Sequence, residues 1–488
     1  MSPTDRHNRM NAGFCLTCTN PYSSLVNYGV APGLQGPMLG GFLFAGVNGV
    51  PSAPFKVYWN DWQPRVGLSW AVLPNTIVRA GYGVFDSVAD ASIDSIGFSQ
   101  GTSFIGSLDG GLTPSGYFNS GIPYPTGAIA PTGAAEGLAT NVGNGIGFSD
   151  TNRRIRMTQH WSFGVQRELP GALLLDVQYM GTVVHRMPVA TSLDIISSAQ
   201  QQACYATGSA CNANVPNPFY GVLAANSSLG ASKTIPSWKL MRPYPIFDGV
   251  TDYAVPSGDS HYNSLNVRVE RRLSTLDFVF NYAYSNWVDR DSYLNNGIYR
   301  DANLWKGLDA SDRRNYLDAN VVYPLPGTRK GGLIGALANG WLFDSTVIWG
   351  TGIPLALPGA NFNCSSYAPK GGQTRAHWFN NDQSCWSNLV PWQPRTTPLR
   401  IGHLREPGLV NWNPAFHKQF ALPREGMFIQ FRMEALNGAN HPTWGGANLN
   451  LGALTKFSPT TSWTGFGTLP TTSDEIPRSI LTSLRILF

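Results

Sequence analysis

Charge is what this chain of 488 residues is shortest of: Asp, Glu, Lys and Arg make up 13% of it, about half of the roughly 25% usual in a soluble protein. Long apolar runs are missing as well. No stretch of about 18 apolar residues exists, so no helix spans a membrane; the longest aliphatic run sits around Leu173–Leu175. Despite a net charge of +5, Lys and Arg form no basic stripe, which removes nucleic acid from the expected partners. The opening residues, MSPTDRHNRMNAGF, have neither an apolar segment nor a cleavage site and are not a signal peptide. An exported chain without such a signal is expected to have lost its true N-terminus. Motifs of chemistry are absent too. The eight histidines are dispersed, HExxH and G-x-S-x-G do not occur, and Gly106–Gly121 and Gly127–Gly147 lack the Lys-Ser/Thr of a phosphate-binding loop. No catalytic residue, metal site or cofactor is expected, and the sequence does not favour an enzyme.

What the chain has instead is alternation. Between Ser479 and Phe488, the side chains of Ile480, Leu484, Ile486 and Phe488 share one side of an extended strand, and Ser483 and Arg485 the other. An apolar strand ending on an exposed aromatic is hard to explain in water. It suits the closing strand of an outer-membrane β-barrel, with one side toward lipid and the other toward the lumen. The same two-residue period predicts five hairpins before it. These are Trp62–Trp70 with Thr76–Asp86, His160–Glu168 with Ala172–Met180, Tyr262–Arg271 with Leu276–Trp287, Arg313–Tyr323 with Trp341–Gly350, and Trp412–Phe420 with Met427–Asn437. Each strand is near the roughly 9–11 residues needed to cross a bilayer at a tilt. Met38–Val47 (MLGGFLFAGV) is a weaker twelfth candidate.

The charges decide between a membrane barrel and a soluble sandwich. Arg65, Arg79, Asp176, Arg268, Glu270, Arg314, Asp318, Asp344, Arg432, Glu434 and Arg485 all fall opposite the apolar face, as lipid requires when a cation at mid-depth costs about 2–4 kcal/mol. Lys418 departs from the rule, sharing a face with Phe416 and Phe420, and is expected to snorkel to the headgroups near its strand end. Outward aromatics gather toward two rims, with Trp161, Tyr179, Tyr284 and Trp349 at one, and Trp70, Tyr323, Trp341, Phe420 and Phe488 at the other, as interfacial rings do. Short links alternate with long ones, the pattern of periplasmic turns and outer loops. The fold class predicted is therefore all-β: an antiparallel transmembrane β-barrel with long extracellular loops, in the outer membrane of a Gram-negative bacterium. Residues 1–61 read as an N-terminal loop or partial-strand region and 62–488 as barrel. Outer-membrane lipid is one expected partner. The barrel-assembly machinery, engaging the closing strand through Ile480, Leu484, Ile486 and Phe488, is another.

None of the six cysteines falls in a predicted strand. Cys204 and Cys211 share one long loop and Cys364 and Cys385 another, so two local disulfides are expected in an oxidising compartment. Cys15 and Cys18 form a CxxC that could be a redox pair or half a zinc site, but only His7 lies close and no second CxxC exists, so a loop disulfide or a pair of reduced thiols is the expectation. The acidic stretch Asp309–Arg314 (DASDRR) reads as a charged rim where a strand begins, since the pattern of a calcium loop does not follow it. Arg432 and Glu434 are expected to pair across the barrel. The aromatic loop around Tyr367–Trp392 suits either stacking on sugars or peptides or plain surface cover.

Taken in order, the segments resemble a known family. NDWQPRVGLSW with TIVRAGYGVFD, QHWSFGVQRELPGALLLDVQYMGT, YNSLNVRVERRLS with FNYAYSNWVD, DRRNYLDANVVYPLP, NGWLFDSTVIWGTGIPLAL, and NWNPAFHKQFAL with MFIQFRMEALNGANHPTWG are similar to successive blocks of TonB-dependent receptors of the Oar-like, acidobacterial type. The similarity runs from about Phe42 to Phe488; one block is a weak pattern, six in order are specific. The resemblance implies a barrel of roughly 22 strands, preceded by a plug and a TonB box and working in solute uptake. On this reading the chain is the C-terminal portion, with 11 or 12 strands and without plug or box. TonB is then a partner only through a missing N-terminal region, and energised transport is not expected of the chain alone. The solute, a glycan, peptide or chelate, is not specified by the residues. One alternative is a self-contained passive pore, which needs Met38–Val47 as an even-numbered strand. Another is a secreted β-rich binding protein or enzyme, which predicts clustered carboxylates or a metal site. An open half-barrel leaves unpaired backbone groups in hydrocarbon, each costing several kcal/mol, so the isolated chain is not expected to insert as a stable monomer.

Overall fold

The structure, a computed structural model, describes residues 11–488 apart from 31–33, 35, 53–55, 57, 88–95, 100, 102–105, 108, 115–128, 151–153, 209, 274, 291–305, 330, 423–426, 451–464, 471 and 475. Its backbone is one antiparallel sheet of eleven consecutive strands: β1 (Arg65–Leu73), β2 (Thr76–Asp86), β3 (Met157–Leu169), β4 (Leu173–Ser192), β5 (Val250–Leu273), β6 (Leu276–Arg290), β7 (Asn315–Pro324), β8 (Trp341–Gly350), β9 (Leu409–Ala421), β10 (Phe428–Leu436) and β11 (Ser479–Leu487). Each of the eleven overlaps a strand that the alternation predicts, though the first begins at Arg65 and not Trp62, β4 runs well past the predicted Met180, and β5 starts well before the predicted Tyr262. The turns at one end are tight. Between β3 and β4, Gly171 (φ 80°) and Ala172 (φ 56°) both take the left-handed conformation that a short hairpin link requires.

Register converts the alternation of single strands into one continuous face. Trp70, Val78, Val165, Val177, Val267, Tyr282, Leu317, Trp349 and Val410 stand opposite one another in a row across nine strands. A second row runs Tyr323, Phe343, Phe416, Met433. A slip of one residue anywhere would turn that strand's apolar set to the other side. Yet among the described residues no core covers this face. Phe163 is 54% exposed and Leu484 67%, and side chains of that size forfeit about 1.5–3 kcal/mol each if left in water. Lipid removes the loss.

The other end of the sheet is built differently. Strands β4 and β5 run to 20 and 24 residues, roughly 66 and 80 Å at about 3.3 Å per residue, more than twice an apolar band of about 25 Å. Their far ends join the first of two loop bodies; the second is built from the links between β8 and β9 and between β10 and β11, and each body has its own buried core. Met38–Val47 belongs to the first of these bodies and is not a strand of the sheet. Only Phe42–Phe44 is extended there, paired with Asn11–Phe14 in a separate two-stranded ladder. The reason is legible in its side chains: Phe42 and Phe44 are both 1% exposed, so they sit in protein and not against lipid.

Two short segments pair at the sheet's far margin, Ile146–Phe148 parallel to β5 and Gly307–Leu308 antiparallel to β6; along the path of eleven every neighbouring pair is antiparallel, so β1 and β11 run in the same direction. Among the described residues neither edge has a further partner, so the sheet is open.

Candidate functional site

The face opposite the apolar one is a polar trough. Gln166, Asp176, Arg268, Asn281 and Asp318 occupy one row across strands β3 to β7, and the Asn281 amide donates to Asp318 Oδ2 at 2.9 Å. Asp176, Arg268, Asn281 and Asp318, with Gln178, Asn266 and Tyr316, line a groove of about 350 Å³. A second groove, about 320 Å³, lies between Asn320, Asp344, Thr346, Asn413, Arg432 and Glu434. The charges here pair along a strand and not across the barrel as expected: Arg432 reaches Glu434 at 2.5 Å and Arg268 reaches Glu270 at 2.6 Å. Residues two apart share a face in a strand, so the partner nearest in sequence is also nearest in space. Asp344 and His417, on neighbouring strands, stand 2.7 Å apart. No group of three metal-ligating side chains forms among the described residues. Alternating donors and acceptors of this kind suit a hydrated polar solute.

Above the trough, the first loop body joins the N-terminal segment to residues 142–148 and 193–250. Phe14 stacks on Phe148 (5.5 Å) and meets Phe247 edge-on (5.6 Å), while Phe219, Ile246 and Phe247 are fully buried. Charge is locked inside it. Arg242 Nη1 lies 2.9 Å from Asp194 Oδ2, the Tyr244 amide donates to Asp194 Oδ1, and Arg242 Nη2 donates to the Phe247 carbonyl. Burial pushes the Asp194 carboxyl up to about 7 against the pull of Arg242. Cys204 and Cys211 are bonded within this body, and Cys15 and Cys18 to each other. His7 lies outside the described residues.

The second body, from residues 351–408 and 444–469, buries Leu355, Phe379, Phe466 and Leu469 almost completely. The aromatic loop is its core: Tyr367 stacks on Phe362 at 4.1 Å, and Trp386 packs against Phe379 and Phe466. Those rings are therefore taken up by one another. Cys364 and Cys385 are bonded here. At its stem Gly352 approaches the Glu406 carbonyl so closely that a Cβ would lie 1.6 Å from it. Burial raises the Glu406 carboxyl, which accepts from the Ala447 amide. The Asp309–Arg314 stretch acts as a clamp for this body. Asp312 accepts from the Trp287 amide at 2.7 Å and pairs with Arg405 at 2.6 Å. Trp238 and Trp392, ring centroids 5.6 Å apart, join the two bodies.

At the short-turn rim the sequence reading needs correction. Lys418 does lie on the apolar face, but it is 2% exposed and does not snorkel. Its ammonium donates to the carbonyls of Leu337 (2.9 Å), in the last turn of a seven-residue helix, Gly332–Ala338, and of Asn339 (2.5 Å), the residue that caps it, and faces the rings of Trp341 and Phe420. Backbone carbonyls at a helix C-terminus replace the headgroups. Two cations that strand parity could have found were missed: Arg167 stands opposite Leu175, and Arg271 opposite Leu173 and Phe278, on the apolar face at the same rim. In the closing strand, Ile480, Leu484 and Ile486 continue the apolar face opposite Ala435, Phe431 and Ile429, and Phe488 is 97% exposed.

A family model described as "Outer membrane beta barrel domain" matches residues 1–480. No curated protein matches the sequence. Similar solved structures include the outer membrane transporter YddB from Escherichia coli (10% identity, TM-score 0.39, 87% of this chain and 40% of that one). Two others are the siderophore receptor PiuA from Acinetobacter baumannii (8%, 0.36, 92% and 38%) and the FrpB iron transporter from Neisseria meningitidis (9%, 0.36, 87% and 39%). The chain spans about two-fifths of the length of these proteins.

Proposed function

The chain belongs to the outer membrane β-barrel domain family, and from that premise we propose that it forms the barrel portion of a TonB-dependent receptor of the Oar-like type. Its role is the uptake of a bulky polar solute, a glycan, peptide or chelate, through the trough beneath its two loop bodies. The plug and the contact with TonB are then supplied by sequence outside these 488 residues, and the closing strand β11 is the segment the barrel-assembly machinery engages.

One observation carries this reading: among the described residues the sheet has an odd number of strands, joined by a continuous row of apolar side chains. Since β1 and β11 run the same way, joining them would make a parallel pair, whereas barrels of this class close with even, antiparallel strand numbers. Two copies side by side meet the same obstacle at both seams. An odd number of additional strands, running from β11 back to β1, resolves it. The self-contained pore loses its support here, because Met38–Val47 does not join the sheet.

The test compares the whole locus with this chain alone in a host from which the gene is deleted. Uptake of candidate glycans, peptides and chelates is measured with and without collapse of the proton gradient. Restoration of gradient-dependent uptake by the locus and not by the 488 residues is the expected result. A heat-modifiable monomer of the chain alone that conducts ions in planar bilayers would overturn it in favour of a passive pore.

A further inference from the structure

The helix Gly332–Ala338, in the link between β7 and β8, has the sequence GLIGALA, without one polar side chain. Leu333 is 76% exposed, Ile334 58% and Leu337 57%. Such a helix in water has no reason to hold these three side chains out. Its placement is fixed by two side chains of the sheet's apolar face. The Trp341 indole donates to the Leu337 carbonyl at 2.8 Å, and the buried Lys418 ammonium donates to the carbonyls of Leu337 and Asn339. Both anchors point from the lipid side, so the helix continues the lipid-facing band at the short-turn rim. Cations border that level: Arg167 and Arg271 on the apolar face, and Arg329 shortly before the helix.

We infer that Gly332–Ala338 is an interfacial anchor, lying in the headgroup–acyl boundary of the inner leaflet with Leu333, Ile334 and Leu337 among the upper acyl carbons, and that Lys418 is the residue that positions it. The occupant of this face is lipid, with anionic headgroups favoured by the neighbouring cations. An apolar helix face bordered by basic residues binds in this way because acyl burial and headgroup attraction act together. Lys418 uses its charge on the helix carbonyls, at the negative end of the helix dipole. This inference rests on the membrane reading of the sheet.

The experiment uses the full chain with its disulfides intact, in micelles doped with spin-labelled stearate and a fraction of anionic detergent. A fluorophore that reports polarity is attached at Ile334→Cys, at Leu337→Cys and, as a control, at Phe280→Cys on the sheet's apolar face. The helix labels are expected to be quenched several-fold more by a nitroxide near the stearate carboxylate than by one near the chain end. The Phe280→Cys label should show the opposite preference. Adding Lys418→Met is expected to reduce the shallow quenching at the helix severalfold while the Phe280→Cys signal holds. Helix labels quenched only by aqueous iodide, or protected by concentration-dependent cross-linking to a second copy, overturn the inference while the control stays positive. Loss of lipid quenching at Phe280→Cys as well would overturn the membrane reading, and the anchor with it.

Discussion

The sheet and the loop bodies above it use the same residue types to opposite ends. Phe280 in β6 is 39% exposed, and Phe247 in the first loop body is 0% exposed. The sheet holds its shape by backbone pairing and register, leaving its apolar side chains for a solvent that is not water. The loop bodies hold theirs as any soluble domain does, by burying aromatic rings on one another. One chain thus carries two folding codes, and the boundary between them falls part-way along β4 and β5.

The comparison breaks most visibly if a buried ring is removed. Phe247→Ala is expected to cost the first loop body about 3–5 kcal/mol, because Phe14, which meets the ring edge-on, and the other side chains of that core cannot close the void. Protease cleavage within residues 193–249 should then appear under conditions where the sheet stays resistant. Cleavage spreading into β4 to β6 at the same rate would show that the two regions fold as one unit.

A charge placed on alternate residues sharpens the same contrast. Phe280→Arg puts a cation on the apolar face at mid-depth, at a cost of about 2–4 kcal/mol. Val279→Arg, one position earlier, enters the trough opposite Glu270 and Asn320 and should change stability by less than about 0.5 kcal/mol. Denaturant midpoints in micelles measure both. Equal costs would mean that the two faces see the same solvent.

How much of this was readable beforehand follows from which code was in use. The strands were legible because a two-residue period is local: Val267 and Val269 announce their side whatever lies elsewhere. The loop cores were not, since their contacts join residues such as Phe14 and Phe247, whose proximity no short window reveals. Met38–Val47 misled for a related reason. Its apolar residues do not alternate, with Leu43 between Phe42 and Phe44, and a segment apolar on both sides belongs in protein. The disulfide partners were near in sequence and so within reach. Lys418 was visible only as an exception, and its answer lay in the carbonyls of a helix some 80 residues away in the chain.

The smallest expected effect is that of pH, and it should touch the loop bodies alone. Asp194 in the folded chain titrates at about 7, above the ordinary value of 3.8, because burial outweighs the pull of Arg242; Glu406 is raised in the same direction in the second body. A carboxyl whose folded pKa is the higher one binds a proton in the folded state that the unfolded chain releases. Its contribution is therefore fully present below the unfolded value and is lost as pH rises through the folded one. Amide exchange in residues 193–249 should accordingly be several-fold slower near pH 5 than near pH 8, after correction for the intrinsic rate. Asp194→Asn, which keeps an oxygen to accept from the Tyr244 amide, should remove most of that dependence. Exchange in β7 to β10 should follow the intrinsic rate throughout. A body that instead loosens on acidification would mean that the Arg242 ion pair, and not desolvation, governs Asp194, and that the loop core tolerates buried charge better than its packing suggests.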